Sequence, residues 1–195
     1  MKIVFATHNA HKVSECKQIA NGNLQIVSLS EVGYTKEIEE TGTTLEENAL
    51  IKARTIYESL GENCFADDTG LEVDALGGRP GVYSARYAGE NATYRENVIK
   101  LLKELEKHEQ RSARFRTVVA LILDGEEFLF SGEVEGSIIN YCAGDGGFGY
   151  DPVFIPQGET LTFAQMSAEA KNMISHRGRA FQKLFAYLNS RYSAS

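Results

Sequence analysis

The chain has 195 residues, 20 basic and 27 acidic, for a net charge of −7; 43% are hydrophobic and 24% charged. That composition excludes a disordered or collagen-like polymer, and the acidic balance disfavours a general nucleic-acid binder, which needs a basic face. The longest unbroken apolar run, Val118 to Leu123, is far short of a membrane span. One domain over residues 1–195 is therefore expected, able to bury roughly 70% of its unfolded surface in a single core. The apolar start is too short for a signal-peptide core, so the mature chain is expected to begin at Met1 and to stay in the cytoplasm. Cys16, Cys64 and Cys142 are odd in number and share no close spacing. They read as reduced, buried thiols and not as a disulfide frame or zinc site.

In chain order, Lys2 to Ala6 reads as a short strand, and Thr7 to Lys12 as a turn entering a helix. That helix runs to about Ala20 and stops near Asn21-Gly22. Leu24 to Leu29 is a second strand. Thr44-Leu45-Glu46-Glu47 is a capping box that opens a helix ending at Gly61. Cys64 to Ala66 reads as a brief strand running into Asp67-Asp68-Thr69-Gly70, a tetrapeptide with turn composition. Thr93 to Glu96 is another capping box, with Val98, Leu101, Leu102 and Leu105 as the apolar stripe behind it. Arg114 to Leu123 is apolar on both faces after Thr117 and reads as a central strand. Asp124-Gly125 is a hairpin turn, and Phe128 to Val134 the returning strand. A further strand near Ile138 leads into a glycine cluster, and Val153 to Ile155 is extended again. The chain ends in a helix behind Ser175, with Phe181, Leu184, Phe185 and Leu188 on one stripe. Interleaved strands and helices with at least one hairpin predict an α/β fold with a mixed sheet.

Four polar clusters could carry chemistry. Thr7 to Lys12 places free amides, a hydroxyl and a cation where a strand becomes a helix, which suits a phosphate chain; an N-cap by Asn9 is the simpler alternative. Glu37, Glu39 and Glu40, with Asp67 and Asp68, supply hard oxygens of the kind Mg²⁺ takes together with substrate phosphates. Neighbouring Asp67 and Asp68 in extended backbone would point opposite ways, so only one faces a given site. Gly144, Gly146 and Gly149 spell G-x-G-x-x-G, but Asp151-Pro152 follows where a dinucleotide fold needs a helix. The same loop carries Phe148 and Tyr150, which could lie against a base. Lys171 and Ser175-His176-Arg177 put cations at a helix start, where the macrodipole disfavours them unless an anion or carbonyl is near.

In this order the clusters resemble the inosine triphosphate pyrophosphatase family, the Ham1-like proteins that act on non-standard purine nucleoside triphosphates. The marks are Thr7-His8-Asn9-x-x-Lys12, Glu39-Glu40-Thr41-Gly42, Glu47-Asn48-Ala49-x-x-Lys52-Ala53, Ala66 to Leu71, Gly77 to Arg86, Gly147 to Pro152 and Ser175-His176-Arg177. They span nearly the whole chain. The resemblance implies an elongated mixed sheet flanked by helices, with a cleft between two lobes. It also implies a homodimer that uses Mg²⁺ to split ITP, dITP and XTP into the monophosphate and pyrophosphate. Residue by residue it implies that Thr7, His8, Asn9, Ala10, His11 and Lys12 contact phosphate. Glu39 and Asp68 would hold the metal, and Asp68 would also be the catalytic base. Lys52 and Thr69 would touch substrate, Phe148, Gly149, Tyr150 and Asp151 would stack the base, and Lys171, His176 and Arg177 would read the purine. The chain departs from the family at Ala10-His11, where many members have Pro-Gly, and at Thr69, where many have Ser. Competing readings are a Maf-like nucleotide pyrophosphatase of another base preference and a regulatory nucleotide-binding module without turnover. The paired acidic clusters favour an enzyme.

Overall fold

A computed structural model describes residues 1–20 and 24–192. The strands are β1 (Lys2–Phe5), β2 (Gln25–Ser28), β3 (Cys64–Val73), β4 (Pro80–Gly81), β5 (Ser112–Leu123), β6 (Glu126–Ile138) and β7 (Phe154–Pro156). The α-helices are α1 (Ala10–Ile19), α2 (Leu45–Leu60), α3 (Tyr94–Glu104), α4 (Ala168–Ile174) and α5 (His176–Tyr192). The sheet runs β2-β1-β3-β5-β6-β7, with β4 paired to β3. β1 is parallel to β2 and β3, while β3–β4 and β6–β7 are antiparallel. The expected α/β fold with a mixed sheet is what forms. Among the described residues no helix is long and apolar enough to cross a membrane.

The chain divides into two compact units, each with its own core. The first holds residues 1–68, 117–132 and Arg177 onward. Its centre is Phe5 stacked on Phe65 at 4.5 Å, with Phe181 edge-on to both at 5.6 and 6.0 Å. The α5 stripe Phe181, Leu184, Phe185 and Leu188 is buried there, as its helical spacing predicts. The second unit holds residues 69–116 and 133–176. In its core Phe115 meets Phe154 at 4.7 Å and Phe154 meets Phe163 at 5.3 Å, beside Leu71, Val73 and Leu101.

Both capping boxes are reciprocal, Thr44 with Glu47 and Thr93 with Glu96, and Gly61 closes α2 in the left-handed conformation at φ 64°. Asp124 and Gly125, both at positive φ, turn β5 into β6. From Thr117 onward β5 is buried at every residue.

Three expectations change. Asp67-Asp68-Thr69-Gly70 is not a turn: β3 runs straight through it to Val73. Gly70 is there because β4 lies close, and a Cβ would meet the Gly81 carbonyl oxygen at 2.6 Å. The strand expected near Ile138 is the far end of β6. The last helix, α5, starts directly behind Ser175 as expected, and a further short helix, α4, precedes it. Cys142 is exposed, while Cys16 and Cys64 are buried. Asn21-Gly22, the expected helix stop, lies outside the described residues; α1 ends at Ile19, with Ala20 extended.

Candidate active site

The first unit carries a polar group where β1 ends and the parallel β3 runs on past it. Phe5 of β1 is in register with Phe65 of β3, so Thr7 and Asp67 both follow two residues later. Thr7 Oγ1 accepts from the Asn9 amide at 3.1 Å, and Asn9 Oδ1 caps α1 by accepting from the amides of His11 (3.0 Å) and Lys12 (3.3 Å). Ala10 and His11 lie exposed in the first turn of α1. His8 Nε2 donates to the Lys36 carbonyl at 3.0 Å, and its ring lies over Tyr34. Lys12 reaches across to Asp67 Oδ1 at 2.9 Å.

β3 then separates its two acids, as side-chain alternation requires. Asp67, fully buried, accepts from Lys12 and from Arg177 Nε at 3.3 Å, while Arg177 Nη1 donates to Glu15 at 2.6 Å. Burial by itself would raise the Asp67 carboxyl; Lys12, Arg177 and Lys52 outweigh it and hold the group far below the usual range. Asp68 accepts from Lys52 Nζ at 3.2 Å, and the same ammonium donates to Glu40 at 2.7 Å. Burial pushes the Asp68 carboxyl up, the Glu40 carboxylate adds to this, and Lys52 opposes it. The Lys52 ammonium is held charged: burial lowers its pKa, but Asp68 and Glu40 more than offset that.

One oxygen of Asp68, Oδ2, is buried with no hydrogen-bond partner among the described residues. Glu40 is half-buried against Lys52, whereas its neighbour Glu39 is exposed. An orphaned carboxylate oxygen beside a second carboxylate fits a hard cation that completes its shell with water and substrate phosphates. The charge balance fits as well. Lys12, Lys52 and Arg177 stand against Glu15, Glu40, Asp67 and Asp68, an excess of carboxylate that would repel a polyanion unless a cation joined it.

The second unit carries the other predicted group. Asp151 is the hub: its Oδ2 accepts from the Phe148 amide at 2.9 Å and from Lys171 Nζ at 2.7 Å. Gly147, at φ +69°, lies so close that any Cβ would collide with that carboxylate. Gly149 also takes positive φ, at 63°. The Lys171 ammonium sits 5.1 Å over the half-buried Phe148 ring, which also leans on Tyr94. Tyr150 is buried and donates its hydroxyl to the Ser84 carbonyl at 2.8 Å, so it supports the loop from beneath. His176 is 3% exposed and stacks flat on Phe115 at 4.6 Å. Thr69 is half-buried on β3.

Arg177 bonds to a different set of acids from Lys171. It belongs to the carboxylates of the first unit, while Lys171 and His176 belong to the second. Sequence reasoning passed over Glu15 and took Asn48 only as a mark of the family, with no role assigned. Glu15 follows Lys12 by one helical turn, and Asn48 precedes Lys52 by one turn. That spacing was the available signal.

These features define a class: an α/β protein with its lysines and carboxylates gathered at the carboxyl end of β1, the kind of position that suits a phosphate-bearing ligand. The chain belongs to the Ham1 family, whose pattern its residues 3–187 match. It is 50% identical over 189 residues to a dITP/XTP pyrophosphatase of Christiangramia forsetii, covering 97% of this chain and 100% of that one. It is 52% identical over 188 residues to a dITP/XTP pyrophosphatase of Porphyromonas gingivalis, covering 96% and 97%. Among solved structures, the Ham1 protein of Staphylococcus aureus superposes with a TM-score of 0.88 at 41% identity, covering 98% of this chain and 100% of that one.

Proposed function

We propose that this chain is a nucleoside triphosphate pyrophosphatase. It hydrolyses non-standard purine nucleotides (dITP, XTP and ITP) to the monophosphate and pyrophosphate, and so clears deaminated purines from the nucleotide pool. Full-length similarity to relatives bearing that name supports the substrate class. The observation that carries the chemistry is Asp68, buried on Lys52 beside Glu40 with one oxygen unengaged.

In this reading Asp68 and Glu40 hold a divalent cation, Mg²⁺. Held there, the cation would supply positive charge to offset that of the triphosphate and of the leaving pyrophosphate. The rest falls to the chain's own groups. Lys12 and Lys52 bind the triphosphate, and Asp67 and Arg177 hold Lys12 in place. Asp68 orients the attacking water and takes its proton. Positioning and charge dominate, because phosphoryl chemistry asks for little else. In the second unit, Phe148 offers a ring for the purine, and Lys171 is a donor suited to the 6-carbonyl that hypoxanthine and xanthine share and adenine lacks. The whole chain acts as one catalytic domain, in a cytoplasmic homodimer.

The deciding experiment incubates the protein and Mg²⁺ with dITP, ITP, XTP, GTP and ATP and identifies the products. Monophosphate plus pyrophosphate, formed much faster from the first three, is expected. Diphosphate plus orthophosphate would refute the mechanism, and turnover of other nucleotides alone would favour the Maf-like reading. Asp68→Asn should lower kcat by about 10²-fold or more with a smaller change in KM.

A further inference from the structure

Asn48 lies on α2 and is fully buried. Its Oδ1 accepts from the Gly42 amide at 2.8 Å. That contact fixes the orientation of the side-chain amide, because a backbone N–H can only donate and so must face the oxygen. Nδ2, with two hydrogens to give, then has no acceptor among the described residues. A buried donor left unmade is costly, and native proteins rarely keep one without a use.

Its surroundings say what the use is. Asn48 sits one helical turn before Lys52, whose ammonium reaches Glu40 and Asp68. Gly42, held by Asn48 Oδ1, lies two residues beyond Glu40. The approach of this segment to α2 is so close that a Cβ on Gly42 would lie 2.6 Å from Asn48 Oδ1 and 2.7 Å from Glu47 Cβ. Asp68 Oδ2, also buried and without a partner among the described residues, does not bond to Asn48. A buried donor one turn before Lys52, and a buried acceptor on the carboxylate that Lys52 holds, leave each other unsatisfied and match a ligand that brings both oxygen lone pairs and a cation. A metal-bound phosphate chain is such a ligand.

We propose that Asn48 is a substrate-binding residue with two tasks: Oδ1 anchors the segment that carries Glu40, and Nδ2 donates to a non-bridging oxygen of the bound triphosphate. This rests on the reading of the Lys52–Asp68 group as the phosphate site.

The probe is inorganic pyrophosphate with Mg²⁺, titrated calorimetrically into the wild-type protein, Asn48→Leu and Asn48→Asp, with the thermal midpoint of each protein measured without ligand. Leu removes both polar atoms without adding charge, and Asp keeps an acceptor for the Gly42 amide while losing the donor. Both variants should bind pyrophosphate at least about tenfold more weakly, the worth of one charge-assisted hydrogen bond. The unliganded midpoint of Asn48→Leu should change little, because one lost bond is offset by one relieved orphan. Wild-type binding in both variants would overturn the proposal. So would weaker binding only in proportion to the loss of folded protein. If the wild-type protein itself does not bind pyrophosphate, the underlying reading of the site falls instead.

Discussion

Neighbouring acids do different work here because β3 is a strand. Alternation sends Asp67 to Lys12 and Arg177 and sends Asp68 to Lys52. Asp67 is saturated with cations and stays ionised, so it is suited to holding positive charge in place and not to moving a proton. Asp68 has one oxygen to spare and a raised pKa, so it is suited to water and metal. Glu39 and Glu40 also differ, although they lie outside any strand. Glu40 meets Lys52 and Glu39 is exposed. Glu40→Gln should therefore cost about 10–100-fold in dITP turnover and raise the Mg²⁺ needed for half-maximal rate. Glu39→Gln should leave both near the parent values. Steady-state rates across a Mg²⁺ series would check this, and the reverse pattern would assign the metal to Glu39.

At the level of elements, local signals carry far where the interaction itself is local. Both capping boxes and the Asp124-Gly125 turn are short-range hydrogen-bond patterns, and each forms where its residues stand. The end of β2 is held in a similar way. Glu31 accepts from the Ser28 amide and hydroxyl, both at 2.7 Å, and from Lys17 of α1 at 3.1 Å. The bond from the Ser28 amide, with help from its hydroxyl and Lys17, lowers the Glu31 carboxyl to about 2. Its folded pKa lies below the ordinary 4.5, so Glu31 stabilises the fold above that value and loses the effect as pH falls towards 2. Thermal midpoints measured through this window should drop less steeply for Glu31→Gln than for the parent protein, from a lower starting value at neutral pH. The glycine loop shows the limit of such signals. G-x-G-x-x-G opens no helix here, and instead Gly147 makes room for the Asp151 carboxylate that binds Phe148 and Lys171.

For the whole molecule, a net charge of −7 gives no long-range attraction for a polyanion. Capture of a triphosphate must then depend on the local lysines and on the cation. EDTA should abolish dITP turnover, added Mg²⁺ should restore it, and the protein's thermal midpoint without nucleotide should barely move between the two. A large fall in that midpoint with EDTA would mean that the metal is structural. The sequence alone determined the α/β class, the helix caps, the hairpin, the central strand and the family, because each is written in periodicity, short-range hydrogen bonding or a run of motifs. It also identified most residues of both polar groups. Only the tertiary structure decided that Asp67 to Gly70 is a strand, that Glu40 is the acid on Lys52, that Arg177 sides with Asp67 and Glu15, and that Asn48 keeps a buried donor in reserve. Those outcomes depend on partners distant along the chain. A turn-like tetrapeptide becomes a strand when β3 runs on from its pairing with β1, beside β5, to its pairing with β4, and a cation at a helix start is stable when buried carboxylates from other elements meet it.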